Sequence, residues 1–296
     1  MCRLIYFFRK ASLPLCWALV TILYLYHFSI IRHYAVDVPY WDEWEYFKPE
    51  ALPAGLTWQW LFEFHNEHRI VFTKLLAWLN MKFFGLDFVL QQLFNFGLFG
   101  CLLTAIYILM KRVTGNDRFS WLPLFLIFLL SPLNFANHAW AFQSQFHLVL
   151  LFAMLALAGA FPERITLPSM LKPSILTILA IYSFSAGPVF SIVYLGCFII
   201  YIAGNYLNNH VTKAAALSSL AISSGFIGVG LAFWFHGYTK PPLHPELVLP
   251  VTTNFWIFFL NLVGLGFGYT ASAANSGWFI WELYASFVQC CRLSCY

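Results

Sequence analysis

Long apolar blocks alternate with short polar stretches along this chain, and block lengths near 20 residues predict helices that cross a membrane. Residues 13–31 form the first block, behind Arg3, Arg9 and Lys10. It is longer than the apolar core of a signal peptide, and no small-x-small cleavage site follows, so it reads as an uncleaved first span. Residues 32–69 are the most polar stretch. Residues 70–85 are apolar but interrupted by Lys74, Asn80 and Lys82, which predicts an amphipathic helix lying in the membrane interface. Further spans are expected at residues 88–110, 121–133, 146–161, 174–184, 189–203, 214–235 and 255–269, with a ninth beginning at 278–288. A single long helix kinked at Gly187-Pro188 is the alternative to two short spans within 174–203. The expected fold is all-α: one polytopic transmembrane helical bundle of about eight spans over residues 1–296, with residues 32–87 as a first external loop carrying the interfacial helix.

Composition narrows the class. The chain is 61% hydrophobic and 9% charged, against about 25% charged in a soluble domain. So few charges cannot cover a soluble surface, and a disordered chain needs the opposite balance. The placement of the charges then suggests an orientation. Arg3, Arg9, Lys10, Lys111, Arg112, Arg118, Arg164, Lys172 and Lys213 fall on one side of the predicted topology, with Asp117 and Glu163 as the acids among them. Eight of the twelve acids lie between Asp37 and Asp87, on the other side. Cations collect in the cytoplasm, so the N-terminus is expected inside and the first loop outside, as in a multi-pass protein of the bacterial inner membrane. A single kinked helix would instead put Lys213 outside. No basic run with interleaved aromatics is present, which excludes nucleic acid as a partner. The scattered cysteines read as packing residues, and Cys290, Cys291 and Cys295 lack zinc spacing.

Under this topology the unusual polar residues gather on one face. Asp42 and Glu43 follow the first span, flanked by Trp41 and Trp44. Partial desolvation beside such rings raises a carboxylate pKa and makes a better general base, although an acidic loop with interfacial tryptophans would look the same. His65-Asn66-Glu67-His68-Arg69 packs two imidazoles, a carboxylate and a guanidinium into five residues. If helical, His65, His68 and Arg69 share a face that suits an anionic phosphate, with Glu67 beside them. The spacing is neither H-E-x-x-H nor H-x-x-E-H, so no metal is assigned. In residues 134–145, Asn137, His138 and Gln143 alternate with Trp140 and Phe142, a composition that suits stacking on a sugar or an ordinary re-entrant loop. Lys240, in a Pro-rich loop with His236 and His244, is a further anion contact. The break at Ser185-Ala186-Gly187-Pro188 permits close backbone approach.

An acidic pair after the first span, an interfacial helix in the same loop and many short spans resemble the GT-C superfamily of membrane glycosyltransferases, which includes protein O-mannosyltransferases and aminoarabinose transferases. The His65–Arg69 motif, Asn137-His138-Ala139-Trp140-Ala141-Phe142-Gln143 and the break at 182–187 are similar to features of uncharacterised bacterial multi-pass proteins of that type. The resemblance covers residues 1 to about 270. It implies a polyprenyl-phosphate sugar donor and chemistry on the non-cytoplasmic face. Asp42 would be the general base, with Glu43 as alternate, and Arg69 with His65 and His68 would hold the donor phosphate. Glu67, Asn137, His138, Trp140, Gln143 and Lys240 would contact substrate. Some members need a divalent metal, but the Asp-x-Asp pair is missing from the first loop, so no cofactor is expected. Members usually have more spans, which makes this chain a C-terminally truncated or short variant. A transporter or lipid flippase, or a non-catalytic membrane subunit, is the competing expectation.

Overall fold

The computed structural model describes residues 2–114, 122–130, 135–162, 165–240 and 248–265. Among them the regular elements are helices, with no strand. In chain order they are α1 (Cys2–Tyr34), α2 (Trp58–Phe62), α3 (Val71–Phe84), α4 (Phe88–Thr114), α5 (Leu122–Leu129), α6 (Phe135–His138), α7 (Ser144–Gly159), α8 (Leu167–Ile181), α9 (Ala186–Leu207), α10 (Lys213–Phe235) and α11 (Thr253–Leu265). Short 3₁₀ turns cover Trp41–Phe47, Leu52–Ala54 and Ala141–Gln143. The chain divides into two compact units, Met1–Pro241 and Pro242–Tyr296. In the second, α11 starts beside Trp256, whose Nε1 donates to the Pro250 carbonyl over 2.8 Å. The Glu163-Arg164 pair, the His244 loop, the segment at 278–288 and Cys290, Cys291 and Cys295 lie outside the described residues.

Among the described residues five helices, against about eight spans expected for the whole chain, are long and apolar enough to cross a bilayer: Pro14–Tyr34, Phe88–Thr114, Ala141–Gly159, Ala186–Leu207 and Lys213–Phe235. Their outer faces are apolar. Val189, Ile192, Val193 and Ile200 on α9, and Phe226, Val229 and Phe233 on α10, are exposed. Water does not tolerate such continuous apolar surface, whereas lipid requires it. The chain is a multi-pass membrane protein. At 15 residues, α8 is apolar but shorter.

Two apolar cores hold the helices. Phe96, Phe99 and Leu102 of α4 meet Leu122 and Leu126 of α5 and Ile31 of α1. Tyr194, Phe198 and Ile202 of α9 meet Ile181 of α8 and Ile227 and Trp234 of α10. Between them α7 packs on both α4 and α8. The first loop has its own core of Tyr46, Leu52, Trp60, Ile70, Ala77, Phe88 and Phe142.

Residues 174–203 are not one kinked helix. The chain turns at residues 182–185, and α8 and α9 pack against each other. The turn depends on Gly187, where an added Cβ would stand 2.1 Å from the Ala180 carbonyl oxygen. Helix starts explain where the span limits move. Thr166 caps α8 in a reciprocal pair with Ser169, and the helix begins seven residues before the expected 174. Polar Lys172 and Pro173 hide that start in the sequence. Similarly, Ala141–Gln143 runs straight into α7, so Gln143, Ser144 and Gln145 belong to the buried bundle and not to a polar loop.

Helix α3 forms where an interfacial helix is expected, but of its interrupting residues Lys74, Asn80 and Lys82 only Lys82 is exposed. Thr73, Lys74 and Asn80 are buried, while Phe83 and Phe84 are exposed. Each buried polar group finds a partner inside: Thr73 Oγ1 accepts from Ser144 Oγ over 2.8 Å, and Asn80 Nδ2 donates to the Asp87 carbonyl over 2.8 Å. Two of the loop acids are helix caps. Asp37 Oδ1 accepts from Phe88 N and Asp87 Oδ1 from Leu90 N, both at 2.8 Å, at the positive end of α4.

The Gly187 contact gives a direct stability prediction. Gly187→Ala forces backbone apart and should lower stability by about 3 kcal/mol or more. Gly196→Ala, on the same helix with open space around its Cα, should be neutral or slightly stabilising. Thermal unfolding of the two variants in detergent checks this, and equal melting temperatures would refute the tight turn.

Candidate functional site

The site begins with one carboxylate. Glu43 is 1% exposed. Its Oε2 accepts from Tyr40 N over 2.8 Å and its Oε1 from Phe142 N over 3.0 Å. Local sequence explains its orientation. Residues 41–47 form a 3₁₀ helix, whose three-residue period stacks i, i+3 and i+6 on one face. Three faces result. Glu43 and Tyr46 point inward, Asp42 and Glu45 are half-buried at the edge, and Trp41, Trp44 and Phe47 point out. The first residue sits at φ +48°, a left-handed conformation that costs a tryptophan about 1–2 kcal/mol. The paired bonds to Glu43 hold the chain in it. Burial pushes the Glu43 carboxyl up from the ordinary 4.5 to about 7 against the pull of its backbone donors.

Asp42, on the adjacent face, is the accessible acid. Its Oδ2 lies 3.4 Å from Nε2 of His65. An aromatic shelf adjoins it. Tyr40 stacks on Trp41 and meets Trp140 edge-on, Trp140 Nε1 donates to the Tyr40 carbonyl over 3.2 Å, and the His65 ring lies 5.0 Å from Phe142.

The segment at 65–69 is not the helix that its spacing allowed. His65 N donates to the His68 carbonyl and His68 N to the His65 carbonyl, at 2.8 and 2.9 Å, closing a tight turn with Asn66 at φ +53°. Asparagine tolerates that conformation better than most residues, and this favours the turn. The two imidazoles therefore diverge. His65 faces Asp42, while His68 lies 3.3 Å from Glu67 and packs on Phe184 at the turn between α8 and α9.

Arg69 is buried and engages backbone. Its Nε donates to the Trp234 carbonyl over 2.9 Å, and its two terminal nitrogens donate to the carbonyls of Phe62 and His236. Its carbon lies 3.9 Å above the Phe64 ring. Burial holds its pKa below the ordinary value. Lys74 behaves alike. Its Nζ donates to the Trp60 and Glu63 carbonyls at 2.6 and 2.9 Å, and burial pulls its pKa down to about 8. Both cations satisfy terminal carbonyls of α2, and Arg69 also satisfies those of α10, where the helix dipole is negative. Val71 N, at the start of α3, donates to the Tyr182 carbonyl, which docks the loop on the α8–α9 turn.

The 134–145 patch divides. Trp140 joins the shelf and Asn137 is exposed, but His138 and Gln143 turn inward. His138 Nδ1 lies 3.2 Å from His147 Nε2, and His147 Nδ1 lies 3.1 Å from the Gln143 carbonyl. A carbonyl only accepts, so His147 carries its proton on Nδ1 and receives one from His138 Nδ1. His138 Nε2 is then a bare, buried acceptor, with the His27 ring 6.5 Å away. Burial, with His147 and His27 nearby, pulls the His138 pKa down to about 3 and keeps it neutral. Lys240 is exposed on the stretch after α10.

Sequence reasoning missed His27, His147 and the clamp role of Lys74. Their signal is an ionisable residue inside an otherwise apolar block, which in a membrane chain needs an internal partner. Among the described residues, no three His, Cys, Asp or Glu side chains converge as a metal site requires.

Two predictions test this architecture. Glu43→Gln keeps the volume but cannot accept from both backbone donors, so it should cost about 1–3 kcal/mol. In the wild type, the folded carboxyl holds its proton up to about pH 7, so its contribution is greatest below the unfolded value and is lost as pH rises through 7. Melting curves from pH 5 to 8 should show that decline in the wild type and a flatter profile in Glu43→Gln. An unchanged slope would remove Glu43 from the account. Arg69→Lys retains charge but loses the planar fork, and should destabilise by about 2–4 kcal/mol. Limited proteolysis of residues 58–69 should then speed up, and unaltered cleavage would contradict the clamp.

No family model, curated protein or solved structure matches the chain.

Proposed function

We propose that the chain is a membrane glycosyltransferase of the GT-C kind, moving a sugar from a polyprenyl-phosphate donor to an acceptor hydroxyl on the non-cytoplasmic face of a bacterial inner membrane. The observation that carries this reading is the half-buried Asp42, 3.4 Å from His65 and beside an aromatic shelf. In the proposed step, Asp42 takes the acceptor proton, the acceptor oxygen attacks the anomeric carbon, and the bond to the donor phosphate breaks with its electrons on phosphate. A single displacement inverts the anomeric centre. His65 orients the carboxylate. Tyr40 and Trp140 supply ring faces for the sugar. Glu43 positions Asp42 and stays out of the chemistry, since both its oxygens are engaged by backbone. Arg69 serves as a clamp and His65 faces Asp42, leaving His68 and Lys240 as the proposed phosphate contacts. The reading includes a cytoplasmic N-terminus, about eight spans and α3 at the interface.

A second reading, a proton-coupled transporter or flippase, is favoured by one observation. His27 and His147 lie within candidate spans, with His147 3.2 Å from His138 and the His27 ring 6.5 Å from it.

Full-length protein in nanodiscs, supplied with radiolabelled polyprenyl-phosphate hexoses, separates the two. Asp42→Asn should reduce transfer by about 10²–10⁴-fold while donor binding persists, as expected for loss of a general base. His138→Gln should leave transfer within about threefold of wild type, because its ring lies off the proposed route. Full transfer by Asp42→Asn would sink the proposal.

A further inference from the structure

The outward face of the 3₁₀ helix is unexplained by sugar transfer. Trp41, Trp44 and Phe47 are 70%, 59% and 47% exposed, on the one face opposite Glu43 and Tyr46. The line continues backwards along the chain. Residues 35–40 are non-helical, and Val36, Val38 and Tyr40 are exposed at two-residue spacing, leading back to exposed Tyr34. Tyr34 ends the candidate span Pro14–Tyr34. A helix of that length reaches about 30 Å, so its last residue stands at the edge of the hydrocarbon layer. The aromatic face therefore starts where the membrane interface starts. Tryptophan and tyrosine favour that depth, with ring bodies among acyl carbonyls and polar edges in water.

We propose that Trp41, Trp44 and Phe47 form a ridge that seats the first loop in the headgroup layer of the leaflet where α1 ends, with neutral lipid as its partner. Charge identifies the lipid. Arg32 closes α1 just before the ridge, but between residues 34 and 47 there is no Lys or Arg, whereas Asp37, Asp42, Glu43 and Glu45 are present, so the acids outnumber it. Lys48, next along the chain, is paired with Glu45. Such a segment gains nothing from an anionic surface and is held by ring insertion alone. The helix geometry does the sorting: at about 2 Å rise per residue the ridge is about 12 Å long. Asp42 and Glu45 lie a third of a turn away from it, at the water edge. The ridge sets the height of Asp42 above the bilayer, whatever reaction the carboxylate serves.

The test uses the full chain with p-benzoylphenylalanine in place of Trp44, Phe47 or Glu50, one at a time, in phosphatidylcholine vesicles. On irradiation, positions 44 and 47 should form lipid adducts about tenfold more often than position 50. Two sites are used so that a folding failure at one leaves the other. Adding phosphatidylglycerol should leave the yield within about twofold, as a segment without cations requires. Adducts to a second copy of the chain in place of lipid, equal yields at all three positions, or a yield dependent on phosphatidylglycerol would each overturn the proposal. The readout is lipid attachment, so it holds or fails separately from glycosyl transfer.

Discussion

The carboxylate of Glu43 joins two backbone segments 99 residues apart, and the organisation of the first loop follows from that join. One oxygen closes the start of the 3₁₀ helix at Tyr40, and the other holds the entry to α7 at Phe142. A buried acid is expensive to ionise, and its donors are backbone groups that otherwise lack partners. With these bonds in place, Trp140 reaches Tyr40, Phe142 reaches His65, and Asp42 is left at the edge of the assembled surface. Without them, neither the left-handed Trp41 nor the contact between the shelf and the loop has support.

The cations of the loop follow a related logic. Arg69 and Lys74 engage carbonyls in place of carboxylates, which lets them fasten chain ends without the geometric demands of a buried ion pair. Through Arg69 the loop touches the end of α10, and through Val71 N it touches the α8–α9 turn. The first loop is thus fixed to both ends of its surroundings by the unsatisfied backbone groups of helices. Hydrophobic packing of Tyr46, Leu52 and Trp60 fills the space between these fastenings.

How much of this was legible in the sequence depends on the interaction involved. The long spans were legible because lipid imposes length and apolarity directly. For residues 174–203 the Gly187-Pro188 signal allowed both a kink and a break, and the turn at residues 182–185 decides for two helices. The acid-rich loop was found, but the roles within it were not. Asp42 and Glu43 are neighbours with the same chemistry, and only the three-residue period of the 3₁₀ helix separates an accessible acid from a buried one. The pKa increase expected beside tryptophans falls on Glu43, through burial. The His65–Arg69 motif allowed a helix, but Asn66 takes a left-handed turn and sends the imidazoles apart. In α3 the polar interruptions read as a water face, and Lys82 alone keeps to it. In a membrane protein the polar stripe can equally face a polar interior, and Lys74 and Asn80 do.

The three-sided cross-section of Trp41–Phe47 has a consequence for what changes this segment can accept. A substitution alters one face and leaves the others in register. Adding or removing one residue turns everything beyond it by 120°, which exchanges the faces cyclically. Removing a residue ahead of Glu43 would point Trp44 at the Phe142 amide and carry the interior carboxylate to the edge, while adding one would bring Asp42 inward and turn Glu43 out. Chain length in this segment is therefore constrained as tightly as composition, and homologues should vary here by replacement at fixed spacing or by whole three-residue steps.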